Sequence, residues 1–139
     1  MPSMAVKATD RERAAPRSRE GRAALAKMTL RLFEHWGLSI QDQLSLLGLS
    51  GNSRMTLSRY RKGEPLADSP DLLDRVANLL QIHRSLRILF PRNREDVAYR
   101  WMTVPNRAFG GRTPVETIRE ERFLGLLKVR QYLDFERGR

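Results

Sequence analysis

Residues 39–63 read SIQDQLSLLGLSGNSRMTLSRYRKG, and this stretch decides the fold class. Ser39 offers a hydroxyl to cap a helix, and Ile40, Leu44 and Leu47 fall on one helical face. Gly48 supplies the residue type that ends a helix. Beyond the turn, Ser53 can cap a second helix carrying Met55, Leu57 and Tyr60, which Gly63 stops. Between Gln43 and Gly63 stand Arg54, Arg59, Arg61 and Lys62, with no acidic residue among them.

The spacing predicts a short support helix, a glycine-containing turn and a basic helix small enough to enter a major groove, the order of a helix-turn-helix DNA binder. The turn from Leu49 to Ser53 is longer than in the common motif, so either the turn extends or the basic helix starts early. Ser53, Arg54, Thr56, Ser58, Arg59, Arg61 and Lys62 are the candidates for groove and phosphate contact, whereas Leu57 and Tyr60 belong to the core. The same residues also suit an exposed basic helix on a helical bundle, and spacing alone does not separate the two.

The pattern stays helical on both sides. Upstream, Leu25, Met28, Leu32 and Trp36 recur at steps of three and four until Gly37. Downstream, Ser69-Pro70-Asp71 combines a cap, a preset φ and a carboxylate at the positive end of the helix dipole. A long helix then carries Leu72, Val76, Leu79, Leu80, Leu86, Leu89 and Phe90 up to Pro91. A shorter helix through Val97, Ala98 and Trp101 stops before Pro105, and an irregular segment runs on to Gly110-Gly111. Thr113-Pro114-Val115-Glu116 is a capping box with proline where no donor is needed. Val115, Ile118, Phe123, Leu126, Leu127, Val129, Tyr132 and Leu133 continue from it, with a break expected near Gly125. No stretch alternates as a strand would, so the chain reads as all-α without internal repeats.

At 139 residues the chain has room for one domain, or for two small helical units sharing a core. It contains no cysteine, which excludes disulfide scaffolds, thiol nucleophiles and cysteine-based zinc sites. Apolar residues make up 40% and are never continuous over the ~18 positions that span a membrane. A soluble, cytoplasmic protein is expected. The net charge is +10 and 22 of the 26 basic residues are arginine, whose planar fork suits phosphate, guanine edges and carboxylates. Residues 1–70 and 71–139 each carry +5, so any nucleic-acid surface is local. Residues 1–20 hold Lys7, Arg11, Arg13, Arg17 and Arg19 among Ala, Pro and Ser and read as a flexible basic tail. It lacks an apolar secretion stretch, and Asp10, Glu12 and Glu20 argue against a transit peptide.

Catalytic patterns are absent. His35 and His83 lie 48 positions apart, each without a neighbouring serine or carboxylate arrangement for nucleophilic chemistry. Glu95-Asp96 and Glu120-Glu121 are adjacent pairs that diverge by ~100° on a helix and read as solvated faces. Gly110-Gly111-Arg112-Thr113 lacks the lysine and the preceding strand of a phosphate loop. No enzyme, cofactor or metal site is expected.

Trp101-Met102-Thr103-Val104-Pro105-Asn106, then Phe109-Gly110-Gly111-Arg112-Thr113-Pro114-Val115-Glu116, then a closing helix ending Glu136-Arg137-Gly138, resembles the toxin-binding domain of Xre/MbcA/ParS-type antitoxins. In that family this signature follows a helix-turn-helix-like half, and the likeness spans roughly residues 25–139. The resemblance implies a bacterial, cytoplasmic antitoxin that neutralises a cognate toxin, usually a RES-domain protein acting on NAD, by covering its pocket. It also implies repression of its own operon, and a homodimer within a toxin-antitoxin complex bound to operator DNA. By this resemblance Trp101, Asn106, Gly110, Gly111, Arg112, Thr113 and Pro114 shape the toxin-binding surface, and Arg137 and Arg139 lie where the family's pocket-covering end lies. The domain plan that follows is a tail over 1–20, a DNA-binding and dimerisation half over 21–92 and a toxin-binding half over 93–139. A stand-alone transcription regulator, using 93–139 as a dimerisation or ligand module, is the alternative; an enzyme adaptor that binds no DNA is a third class.

Overall fold

The computed structural model describes residues 17–139. Most of the segment expected to be a tail lies outside the described residues. Its last four residues belong to the folded unit: Arg17 pairs with Asp68 at 3.1 Å, and the Ser18 hydroxyl accepts from the Gly21 amide at the start of the first helix.

Six α-helices follow, with no strand among the described residues: α1 Arg19–His35, α2 Ile40–Leu46, α3 Arg54–Arg61, α4 Pro70–Leu89, α5 Glu95–Arg100 and α6 Pro114–Arg137. Short 3-10 turns at Arg92–Arg94, Trp101–Thr103 and Arg107–Phe109 bracket α5 and the loop beyond it. The all-α expectation is met. Ser39, Ser69 and Thr113 cap as the sequence predicts, each hydroxyl accepting a first-turn amide, and Glu116 closes the capping box at Thr113. Ser53 does not. It occupies the position before α3 but makes no side-chain cap; the Ser50 hydroxyl instead accepts from the Asn52 amide and tightens the turn.

Of the face expected on α1, Leu32 and Trp36 are buried and Leu25 is half-buried, but the core-facing side extends beyond it and leaves Met28 out. Ala26, Leu30, Phe33 and Trp36 are buried while Met28 is 53% exposed. The polar Thr29 hid this face, yet its hydroxyl donates to the Leu25 carbonyl at 2.7 Å and so enters the core satisfied. On α3, Leu57 and Tyr60 are buried as expected, and Met55 is 73% exposed. Leu66, in the loop after α3, is fully buried. Its carbonyl accepts from Arg22, and the Tyr60 hydroxyl accepts from the next amide, Ala67.

Helix α4 is the spine. It packs along α6, which also covers α2, while α1 packs on α3. Along α4, Val76, Leu79, Ile82 and Leu86 are fully buried. The break in α6 falls at Arg122, three residues before the expected site, with φ 58° and ψ −131°. Gly125 instead permits a close approach. A Cβ there would stand 2.4 Å from the Thr117 carbonyl oxygen, so the two pieces of α6 come together through it.

Candidate functional site

Two surfaces gather the residues singled out from sequence. The first is built on α2, its turn and α3. Leu57 and Tyr60 fix α3 against the core and thereby turn Arg54, Arg59, Arg61 and Lys62 outward. Ser53, Thr56 and Ser58 are half-buried at the edges, and the Arg59 guanidinium reaches the Thr56 hydroxyl at 3.5 Å. Asp42, the acid in the first turn of α2, is held by Arg119 of α6 at 2.8 Å. The surface therefore presents arginine and lysine with no carboxylate between residues 43 and 63. Two residues extend it that sequence reading missed. Met55 stands beside Arg54 at the start of α3, and Lys27 of α1 lies against Gly63 at its end. Only packing could identify Lys27, because it joins α3 from a separate helix.

The second surface lies in the region from α5 to the end of α6. Trp101 stacks on Tyr132 at 6.2 Å between centroids, and Phe109 meets both rings edge-on at 6.3 and 5.4 Å. The loop that delivers Phe109 is held by Asn106, whose carboxamide accepts from the Ala108 amide and whose carbonyl accepts from the Gly111 amide. Gly110 and Gly111 both have φ above +60°, which explains two glycines in succession. Beside the rings an open groove of about 400 Å³ runs between Phe109, Lys128, Gln131, Tyr132 and Phe135. Phe135 is 67% exposed, a large apolar side chain left in water next to an aromatic cluster.

Arg112 closes one end of this groove. It donates to Glu120 at 2.9 Å and to Glu121, and its Nε to the Phe109 carbonyl. The hydrogen bond to Glu120, then that to Glu121, raises the Arg112 pKa, and Lys128 followed by Arg112 lowers that of Glu121. The pair read as a solvated face is thus the brace of the loop. Thr113 and Pro114 act as the cap and the first turn of α6, with Pro114 buried. The structure separates the two terminal arginines: Arg137 donates to the buried Ser85 hydroxyl at 3.3 Å, while Arg139 lies over the exposed Phe135 ring at 5.9 Å.

Both histidines meet on one ring. His35 stacks on Tyr99 at 4.5 Å and His83 lies parallel to it at 6.2 Å, joining α1, α4 and α5. The Tyr99 hydroxyl donates to Glu95, and Arg87 lies 6.0 Å from the ring. Burial first, then Arg87 and His35, lower the His83 pKa. No group of three or more potential metal ligands occurs among the described residues. None of their helices is long and apolar enough to cross a membrane.

The chain matches two family models in succession. One, for the antitoxin Xre-like helix-turn-helix domain, covers residues 15–81. The other, for the antitoxin Xre/MbcA/ParS C-terminal toxin-binding domain, covers residues 85–139. An uncharacterized protein, y4oB, of Sinorhizobium fredii (strain NBRC 101917 / NGR234) is 36% identical over 108 residues, which is 78% of this chain and 80% of that protein.

Proposed function

The chain belongs to the Xre/MbcA/ParS antitoxin family, and on that premise we propose that it neutralises a RES-type toxin by covering its NAD pocket and represses its own operon. The observation that carries this reading is the exposed Phe135 with Arg139 over its ring, at the end of a groove floored by Phe109 and Tyr132. An aromatic side chain backed by a stacked guanidinium fits a pocket that accepts a nucleotide: the ring replaces apolar contact and the cation takes the place facing phosphate-binding or acidic groups. Trp101, Asn106, Gly110, Gly111, Arg112, Thr113 and Pro114 act one layer behind, by fixing Phe109 and the start of α6. Arg137 holds α6 to α4 through Ser85, which directs Phe135 and Arg139 outward.

DNA binding falls to α3 in a major groove. Arg54, Thr56 and Met55 are placed for base edges, with the methionine suited to a thymine methyl, and Ser53, Ser58, Arg59, Arg61, Lys62 and Lys27 for the flanking phosphates. A homodimer on a palindromic operator follows from the geometry of such motifs. The functional division is placed at residues 92 and 93, just beyond the end of α4 at Leu89, although the two family models meet within that helix, between residues 81 and 85.

The test is co-purification of the chain with the product of the gene beside its own, for which a RES-type protein is expected. Replacing Phe135 with Ser and Arg139 with Ser together is expected to abolish the complex with the helical content unchanged. A complex that survives both changes would refute the plug.

A further inference from the structure

Arg75 of α4 sits where the two halves meet. Its guanidinium lies 5.5 Å from the Phe123 ring centre, and its Nε backs onto Gly48 so closely that a Cβ there would come within 2.5 Å. Its Nη1 is buried without a hydrogen-bond partner among the described residues. The arginine is thus held by packing rather than by a carboxylate. Beside it opens a pocket of about 360 Å³, lined by Arg75, Arg119, Arg122 and the hydroxyl-bearing Ser45 and Ser50, with no carboxylate in its wall. Asp42 holds Arg119 at 2.8 Å, and Asp71 and Asp74 line the adjoining cavity on the other side of Arg75. Arg122 makes no hydrogen bond or ion pair among the described residues. It is also the residue with φ 58° at the break of α6, a conformation that L side chains rarely adopt. A charged residue at a strained position, without a hydrogen-bond or ion-pair partner among the described residues, is what a binding site retains and what a merely structural bend would replace by glycine.

We propose that this pocket binds one phosphate group. Guanidinium forks and hydroxyls are the donors that phosphate oxygens accept from, and the wall offers nothing for a cation to pair with. Ser45 and Ser50 come from α2 and its turn, Arg119 and Arg122 from α6, so a bound phosphate bridges the DNA-binding and toxin-binding halves. The phosphate comes either from the backbone of a bound duplex, since Ser50 lies in the turn that leads into α3, or from a free phosphate compound.

Two titrations of the full chain distinguish these sources. Inorganic pyrophosphate is followed by calorimetry, and a duplex carrying the chain's own operator is followed by anisotropy over a range of salt. Arg122→Gln, at an exposed position, is the deciding variant; Arg75→Gln is the second, accepted only where circular dichroism is unchanged. For a free ligand, pyrophosphate binds the unaltered chain saturably and each variant weakens it about tenfold with duplex binding unaffected. For a backbone phosphate, duplex affinity falls alike on all sequences and the salt slope drops by about one unit per arginine. The proposal is overturned if folded Arg122→Gln changes neither titration. Should the unaltered chain bind no duplex, the DNA reading fails and pyrophosphate alone decides the pocket.

Discussion

Arg130 donates to the Asn78 carboxamide oxygen at 2.8 Å, and the same 52-residue offset recurs one heptad later, where Arg137 donates to Ser85. Asn78 and Ser85 are both buried on α4, so the two bonds form rungs between parallel helices and fix the register of α6 on α4. A slip by one turn would leave two polar groups buried without partners.

Asn78→Ala removes the upper rung and leaves the Arg130 guanidinium with Asp134 alone, 3.6 Å away. The expected cost is about 0.5–1.5 kcal/mol of stability by urea denaturation, the net worth of a hydrogen bond whose remaining partner still reaches solvent and Asp134. A loss within error would show that the rung does not set the register.

Gly125→Ala is expected to destabilise by about 1–3 kcal/mol, because its methyl group would meet the backbone of Thr117 at 2.4 Å and backbone cannot rotate aside. Arg122→Gly should act in the opposite direction, by up to about 1 kcal/mol, since glycine accepts φ 58° while losing more entropy on folding. Thermal unfolding of the two variants beside the unaltered chain checks both signs.

Stability should fall on mild acidification. Folding lowers the His83 pKa below the usual 6.5, through burial and then through Arg87 and His35, so the unfolded chain takes up the proton first. The stabilisation is fully present above pH ~6.5 and is lost as pH falls below it. The melting temperature is therefore expected to drop between about pH 7.5 and pH 5.5, and His83→Gln to flatten that slope. Tyr99, Arg87 and His35 face this histidine, and Glu95 bonds to Tyr99 and pairs with Arg87; the lowered Glu121 pKa acts at more acid pH, below the usual carboxylate value of 4.5. An unchanged slope in the variant would exclude His83 as its origin.

Arg59→Ala should weaken duplex binding. If Arg59 holds a phosphate, the salt slope drops by about one unit; if it reads a base, discrimination falls by ~1–3 kcal/mol. Anisotropy on matched and mismatched duplexes reads both, and no change in either would remove α3 from the interface.

Most of the fold was legible because its boundaries are written in local chemistry. Ser39, Ser69 and Thr113 cap, Gly37, Gly48 and Gly63 stop, and Pro91 ends α4, each through its own backbone or side-chain preference. What was hidden depends on contacts between distant residues. Thr29 enters the core satisfied because the Leu25 carbonyl one turn back accepts its hydroxyl hydrogen bond. The break of α6 falls on an arginine, against its local preference, and goes with the close approach of Gly125 to Thr117 eight residues earlier in the chain. The aromatic residues of the second surface were visible singly, but Phe135 and Tyr132 look like ordinary helix positions until the groove beside Phe109 joins them.

We propose that toxin neutralisation acts through the end of α6. It is tested most directly by growth rescue: cells expressing the RES-type toxin with either the full chain or a chain ending at Asp134, the latter checked for fold by circular dichroism and for operator shift. The full chain is expected to restore growth, and the truncated chain to fold, shift the operator and fail to rescue. A folded truncated chain that rescues growth fully would contradict the claim and move neutralisation to the surface between Trp101 and Pro114.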